Sequence, residues 1–154
     1  MVPYFYNPNI HPFREYQNRY LAVLDYCREQ GVDLEVGPYE MERFLLRVSP
    51  RVDTRCELCF RIRLSRVAVQ ASILGIGEFT STLLVSPYQD QRLIRAAGES
   101  SAIESGVLFL FEDMREGYQE TVSKSRDLDM YRQSYCGCVY SEKERYQKGD
   151  PPRR

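Results

Sequence analysis

Two pairs of closely spaced cysteines are the residues of this chain best suited to chemistry. Cys56 and Cys59 form a CxxC pair, and Cys136 and Cys138 form a CxC pair around Gly137. Thiolates bind soft metal ions and iron–sulfur clusters, and two neighbouring thiols exchange electrons by forming a disulfide. The sequence therefore indicates metal binding or redox chemistry, and the alternative is that both pairs are structural.

The CxxC pair lies near the start of a predicted long helix. Residues three apart face the same side of a helix, so both sulfurs can reach one ion or cluster. The positive helix N-terminus, with Arg55 and Arg63 nearby, favours the thiolate over the thiol. The alternative, two partly buried cysteines on an amphipathic helix, stays open at this point.

The CxC pair can close only a small, strained disulfide ring, and strained disulfides are the labile, catalytic ones. Gly137 is the residue best able to adopt the backbone that such a ring requires. Redox or metal use is favoured here over a turn with two buried thiols. Two other candidates are interpreted as structural: Cys27 as a small core residue, and His11, the single histidine, as a turn residue before Pro12.

Positive charge is concentrated around the CxxC pair. Of the 21 Lys and Arg residues only three are lysines, and residues 43–66 carry seven arginines against Asp53 and Glu57. This segment therefore has a net charge of +5, and the total of −1 leaves −6 for the rest of the chain. An arginine-rich genome would also explain the preference over lysine, but the guanidinium fork suits phosphate. The total charge excludes a uniformly basic nucleic-acid-binding protein.

Alternating strands and helices are predicted to position these residues. Ser86 is predicted to begin a helix as a capping box, and the apolar run 107–111 is typical of a strand covered on both faces. The alternation predicts an α/β class with a mostly parallel sheet. Strands are predicted at 2–6, 32–36, 79–82 and 107–111, and helices at 12–30, 40–48, 53–74, 86–104 and 118–126.

Length and composition favour one domain over residues 1–147, followed by a flexible tail at 148–154. Hydrophobic residues make up 43% and charged residues 28%, which excludes wholesale disorder. No apolar stretch is long enough to span a membrane, and no secretory leader is recognisable, so a cytoplasmic location is expected. Five cysteines are too few, and odd in number, for a disulfide-rich scaffold.

Five motifs follow one another along the chain: FYNPNIHP at 5–12, RCELCFRIR at 55–63, TSTLLVSPYQ at 80–89, REGY at 115–118 and YRQSYCGCVYS at 131–141. Read together, they resemble the cobalamin-independent epoxyqueuosine reductase family, the QueH type. The resemblance covers nearly all of residues 4–146. It implies a Rossmann-like, mostly parallel sheet flanked by helices. It also implies reduction of the epoxide of epoxyqueuosine at the tRNA wobble position to queuosine, the last step of that pathway.

The resemblance also implies cofactors and partners. Cys56 and Cys59 would be ligands of a [4Fe–4S] cluster, an additional metal ion is a further candidate, and Cys136 and Cys138 would form a redox-active disulfide. The partners would be tRNA carrying epoxyqueuosine and an electron donor that the sequence does not identify. Because positive charge is concentrated in this segment, we expect the tRNA to contact four arginines: Arg55, Arg61, Arg63 and Arg66.

The sequence departs from the family pattern at its start. Family members begin with a strand and a loop of adjacent cysteines that supply the remaining cluster ligands, whereas Met1 falls directly before the second strand. We therefore expect this exact chain to lack the full ligand set. Two alternatives remain: a small zinc-binding RNA-interaction module that uses the four paired cysteines, and an inactive, truncated paralogue.

Overall fold

A computed structural model of the chain describes residues 1–147. Short strands alternate with helices along these residues, which confirms the α/β class. The tail predicted at 148–154 lies outside the described residues. In chain order the elements are β1 (Tyr4–Phe5), α1 (Phe13–Glu29), β2 (Glu35–Val36), α2 (Met41–Val48), α3 (Arg55–Ile73), β3 (Glu78–Phe79), α4 (Gln91–Ser105), β4 (Leu108–Phe109), α5 (Tyr118–Asp127) and α6 (Val139–Tyr146), with 3₁₀ segments at Ser49–Thr54, Thr82–Val85 and Arg115–Gly117.

The strands pair in parallel, as predicted. Within residues 1–147, however, they form two separate two-stranded sheets and not one sheet. β1 pairs with β2, with Tyr4 opposite Glu35, and β3 pairs with β4, with Glu78 opposite Leu108. Each strand is only two residues long, so each pair is held by few ladder hydrogen bonds. The described residues thus show parallel α/β pairing without showing a Rossmann-like sheet.

The chain divides into two compact units. Unit 1 consists of Met1–Met41 together with the chain from Met130 onward, and unit 2 consists of Glu42–Asp129. The single domain predicted for residues 1–147 stays a prediction. No helix within the described part of the chain is long and apolar enough to cross a membrane.

Unit 1 has an aromatic core between β1 and α1. Phe5, Ile10 and Tyr16 are buried, and the Tyr16 ring centroid lies 4.1 Å from that of Tyr39. Cys27, on the same helix, is buried as predicted. α1 begins at Phe13, so Pro12 occupies the N-cap position and not the first helical position predicted for it.

The core of unit 2 lies between α3 and α4. Phe60, Leu64 and Ala71 of α3 are buried, and their spacing places them on one face of the helix. Leu74 follows the last residue of the helix and is 44% exposed. At Gly98 of α4, a Cβ atom would lie 2.3 Å from the Phe109 ring, so only glycine lets α4 approach β4 this closely.

The predicted cap of α4 and the predicted burial of the run 107–111 are wrong. α4 is capped by Asp90 and not by Ser86: the Asp90 carboxylate accepts the N–H of Arg92 at 2.9 Å and that of Leu93 at 3.3 Å. Ser86 and Asp90 both have the extended backbone that an N-cap needs, but the residues after Ser86 form a turn, and the helix begins only after Asp90. The run 107–111 is not covered on both faces, since Leu108 is 66% exposed. Side chains alternate along a strand, and the core packs against the other face.

Candidate functional site

The CxC pair lies at the beginning of α6, a helix that the sequence analysis did not predict. The Sγ atoms of Cys136 and Cys138 lie 3.9 Å apart. A disulfide bond is about 2.05 Å long, so the structure holds these residues as a dithiol. Cys138 is the N-cap of α6, and its Sγ accepts the backbone N–H of Ser141 at 3.4 Å. The Ser141 hydroxyl oxygen lies 3.0 Å from the Cys136 Sγ.

The two thiols differ in their surroundings. Cys136 is exposed, whereas Cys138 is only 7% exposed. The hydrogen bond between the Cys136 and Cys138 side chains is the largest influence on the Cys138 thiol, followed by burial, and together they raise its pKa far above the ordinary value. Cys138 therefore stays protonated, while Cys136 is accessible from solvent.

The backbone of the CxC loop is held by residues far away in the sequence. Arg19 donates from Nη2 to the Tyr135 carbonyl oxygen and from Nη1 to the Cys136 carbonyl oxygen, both at 3.0 Å. The backbone N–H of His11 donates to the Gly137 carbonyl oxygen at 2.7 Å. The Tyr135 hydroxyl donates to the His11 carbonyl oxygen at 2.6 Å, so each segment fixes the other.

Arg19 itself is buried in an ion pair. Its Nε donates to Glu15 Oε1 at 2.7 Å, and the two side chains are 9% and 10% exposed. The Tyr131 hydroxyl donates to Glu15 Oε2, and this hydrogen bond to a carboxylate raises the pKa of Tyr131. The Arg19 guanidinium also lies 5.5 Å from the centre of the Tyr135 ring.

His11 is buried, in agreement with its structural interpretation. Burial is the main influence on the imidazole and lowers its pKa from 6.5. The backbone N–H and carbonyl of His11 form the hydrogen bonds to Gly137 and Tyr135 that connect it to the CxC loop.

The CxxC pair lies in the first two turns of α3, as predicted, with Cys56 exposed and Cys59 half-buried. α3 begins at Arg55 and not at residue 53, because the preceding residues form a 3₁₀ segment. The two cysteine pairs belong to different units.

The four predicted arginines are spread around α3. Arg55 donates to the carbonyl oxygen of Val52 at 3.2 Å. At 3.6 residues per turn, Arg55, Arg63 and Arg66 project from the face that also carries Cys59, whereas Arg61 projects from the opposite flank of the helix. Arg61 is exposed, and Arg63 and Arg66 are half-buried. The positive charge is therefore divided between two flanks.

Comparisons with known proteins identify the family. The family model described as epoxyqueuosine reductase QueH matches residues 1–144. The chain belongs to this family. The epoxyqueuosine reductase QueH of Dehalococcoides mccartyi is 43% identical, over 97% of this chain and 82% of that protein. The QueH of Thermotoga maritima is 37% identical, over 94% and 81%, and the QueH of Helicobacter pylori is 36% identical, over 93% and 42%.

The iron–sulfur cluster expected from the QueH resemblance needs more ligands than the described residues supply. Four protein ligands hold a [4Fe–4S] cluster, and Cys56 and Cys59 would provide two of them. Among residues 1–147, no His, Cys, Asp and Glu side chains form a group of three or more that could hold a metal ion. The described residues therefore do not fit a complete cluster, and they give no support to a four-cysteine zinc site.

The sequence analysis missed Arg19, which binds two carbonyl groups of the CxC loop, Glu15, which pairs with Arg19, and Ser141, which contacts both sulfurs. A charged pair at i and i+4 is common on exposed helix faces, so the spacing of Glu15 and Arg19 gave no reason to expect burial. The only sequence signal is that both residues immediately precede tyrosines of the buried face, Tyr16 and Tyr20. Ser141 contacts the sulfurs because it lies in the first turn of α6, a helix that was not predicted.

Proposed function

We propose that this chain is an epoxyqueuosine reductase that acts on tRNA and uses the thiols of Cys136 and Cys138 as its two-electron reductant. The observation that carries the proposal is the pair itself: two thiols 3.9 Å apart, one exposed and one buried, on a loop fixed by long-range hydrogen bonds. Membership of the QueH family supports the substrate.

The dithiol balances the reaction that the family name describes. Converting an epoxide to an alkene breaks both C–O bonds, consumes two electrons and two protons, and releases the oxygen as water. Oxidation of the thiols of Cys136 and Cys138 breaks two S–H bonds, forms one S–S bond and supplies those electrons and protons. An external dithiol or another two-electron donor must then reduce the disulfide before the next turnover.

The unequal exposure of the two thiols assigns them different roles. Cys136 faces solvent and is the sulfur that an external reductant can attack when the disulfide is recycled. Cys138 is buried, so it is the sulfur that is released inside the loop when an external thiol attacks Cys136. Ser141 contacts both sulfurs and keeps them side by side.

Cys56 and Cys59 are proposed as two thiolate ligands of an iron–sulfur cluster. Their placement in the first turns of α3 supports this assignment, because the helix N-terminus stabilises thiolates. The further ligands that a four-iron cluster needs do not occur beside them in the described residues. The two electrons and two protons that reduce the epoxide come from Cys136 and Cys138 in this proposal, so the balance does not require the cluster.

The tRNA is proposed to contact the arginine-rich segment around α3. Arg55, Arg63 and Arg66 share one helix face with Cys59, and guanidinium groups bind phosphate oxygens in pairs. A modified base in the anticodon loop has to leave its stack to meet a reactive group, which costs a few kcal/mol and is easiest in a single-stranded loop.

The test is reduction of epoxyqueuosine in tRNA by the purified chain, reconstituted anaerobically with iron and sulfide and supplied with dithionite. Queuosine is measured by mass spectrometry of the digested nucleosides. Cys136→Ser and Cys138→Ser are expected to abolish product, whereas Cys27→Ala, at a buried core position, is the matched control that retains it. Absence of product with the wild-type chain would overturn the proposal that this chain is an active reductase and favour the inactive, truncated paralogue. Turnover by Cys136→Ser would overturn the role of the dithiol.

A further inference from the structure

The CxC loop is fixed through three consecutive backbone carbonyl groups. Arg19 donates to those of Tyr135 and Cys136, and the backbone N–H of His11 donates to that of Gly137, at distances of 2.7 to 3.0 Å. All three donors come from the first twenty residues of the chain. A loop held at three successive peptide groups keeps little of the backbone freedom that an unattached CxC segment would have.

The guanidinium of Arg19 is suited to this task because its donors form a planar fork. Two of its nitrogens reach two carbonyl oxygens while Nε reaches Glu15 at 2.7 Å. A lysine ammonium is a point charge that cannot reproduce this arrangement of three acceptors. Removing a buried arginine from water is unfavourable, and Glu15, itself bonded by Tyr131, supplies the compensating charge.

Gly137 shows how closely the guanidinium approaches the loop. A Cβ atom at this position would lie 3.1 Å from Arg19 Nη1 and 2.9 Å from Ile10 Cγ1. The Gly137 φ of +121° is also a conformation that other residues rarely adopt. Arg19 therefore packs closely against Gly137, the middle residue of the loop, in addition to binding the carbonyl groups of Tyr135 and Cys136.

We propose that Arg19 is a positioning residue for disulfide formation between Cys136 and Cys138, and that Glu15 holds Arg19 in place. This inference rests on the proposed redox role of the two cysteines. With the backbone fixed, the sulfurs have only to close from 3.9 Å to a bond of about 2.05 Å, largely by side-chain rotation. Ring closure then loses less conformational freedom than in a mobile loop, so Arg19 favours the disulfide over the dithiol.

The test is the thiol–disulfide equilibrium of the 154-residue chain in mixtures of reduced and oxidised glutathione. Formation of the disulfide converts one oxidised glutathione into two reduced molecules, so the reaction is balanced. After acid quenching and alkylation, the tryptic peptide 133–143 contains both cysteines and reports their state by mass. We expect Arg19→Lys to lower the equilibrium constant about tenfold, which equals about 30 mV for a two-electron couple.

Arg28→Lys is the matched control, because Arg28 lies on the same helix in an exposed pair, 3.6 Å from Asp25. Its equilibrium constant should equal that of the wild type. A second variant, Glu15→Leu with Arg19→Met, removes both charges at similar volume, so that the helix does not retain an unpaired buried carboxylate. It should show the same decrease as Arg19→Lys, with a thermal unfolding transition to show that it folds.

The outcomes separate this inference from the proposed function. An equilibrium constant in both variants that stays within twofold of the wild type, or rises, overturns the positioning role of Arg19. Failure of the wild-type chain to form the Cys136–Cys138 disulfide in any glutathione mixture overturns the redox role of the cysteines and this inference with it. A decrease in both variants, with Arg28→Lys unchanged, supports both.

Discussion

The Cys136 sulfur lies 3.9 Å from the Cys138 sulfur, yet the first residue is exposed and the second is 7% exposed. The difference arises because Cys138 caps α6, with its side chain turned toward the backbone N–H of Ser141. Only one of these two neighbouring thiols is accessible. This arrangement lets an external reductant attack one sulfur of the disulfide, while the other sulfur is released inside the loop.

The first prediction concerns the rate at which each thiol is alkylated. In Cys138→Ser, Cys136 should react with iodoacetamide at neutral pH at least about tenfold faster than Cys138 does in Cys136→Ser, because reaction needs an accessible thiolate. Timed quenching and peptide mass spectrometry measure both rates. Equal rates would contradict the division of roles between the two cysteines.

The second prediction concerns the stability of the CxC loop. Gly137→Ala should lower the free energy of unfolding by about 1 to 3 kcal/mol, because its φ is +121° and the new Cβ would meet Ile10 and Arg19. Gly117→Ala is the control, since nothing lies within 4 Å of a Cβ there and its φ is −77°. Urea unfolding compares the two, and equal losses of stability would show that Gly137 is not specifically required.

The third prediction concerns pH. Burial lowers the pKa of His11 below 6.5 in the folded chain, so at pH values just below 6.5 the unfolded chain binds more protons. Stability contributed by the neutral imidazole is therefore present above about pH 6.5 and is lost as the pH falls toward the folded-state pKa. The free energy of unfolding should decrease more between about pH 7.5 and 5.5 for the wild type than for His11→Gln. Parallel decreases would assign the pH dependence to other groups.

Much of the secondary structure was predictable because its signals are local. The helices predicted to end at residues 30 and 104 end at Glu29 and Ser105, and Gly31 and Gly106, which follow these ends, have positive φ values. Asp90 was missed because Ser86-Pro87 offers the same capping chemistry a few residues earlier. Both residues have an extended backbone, and they differ in that a turn follows Ser86 whereas a helix follows Asp90. The exposure of Leu108 was missed because an apolar run does not tell which faces of a strand are covered.

The site was predictable to a smaller extent. The cysteines were found because their types and spacing carry the chemistry by themselves. Arg19 was not, because its role depends on contacts with Tyr135 and Cys136 that span more than a hundred residues of sequence. Sequence motifs can identify the reactive residues, whereas the residues that position them are identified from the folded structure.

The fourth prediction tests the proposed metal ligands. Cys56→Ser and Cys59→Ser should each bind at most half the iron that the wild-type chain binds after anaerobic reconstitution, because each removes one of two thiols near the start of α3. Cys27→Ser should bind as much iron as the wild type, since Cys27 is buried in unit 1. Colorimetric iron and sulfide determinations measure the difference. An equal loss of iron in Cys27→Ser would contradict the assignment.

The fifth prediction distinguishes the two flanks of α3 as tRNA-binding surfaces. Arg63→Ala with Arg66→Ala should weaken tRNA binding and reduce the slope of log K against log salt by about 0.7 to 0.9 for each phosphate that the variant no longer binds. Two controls each remove one positive charge elsewhere: Arg61→Ala on the opposite flank, and Arg126→Ala in α5. Fluorescence anisotropy at several salt concentrations gives the slopes. Because a general charge effect would act alike at every position, an equal slope change per charge removed in Arg61→Ala and in the double variant would contradict a tRNA contact confined to the Cys59 face.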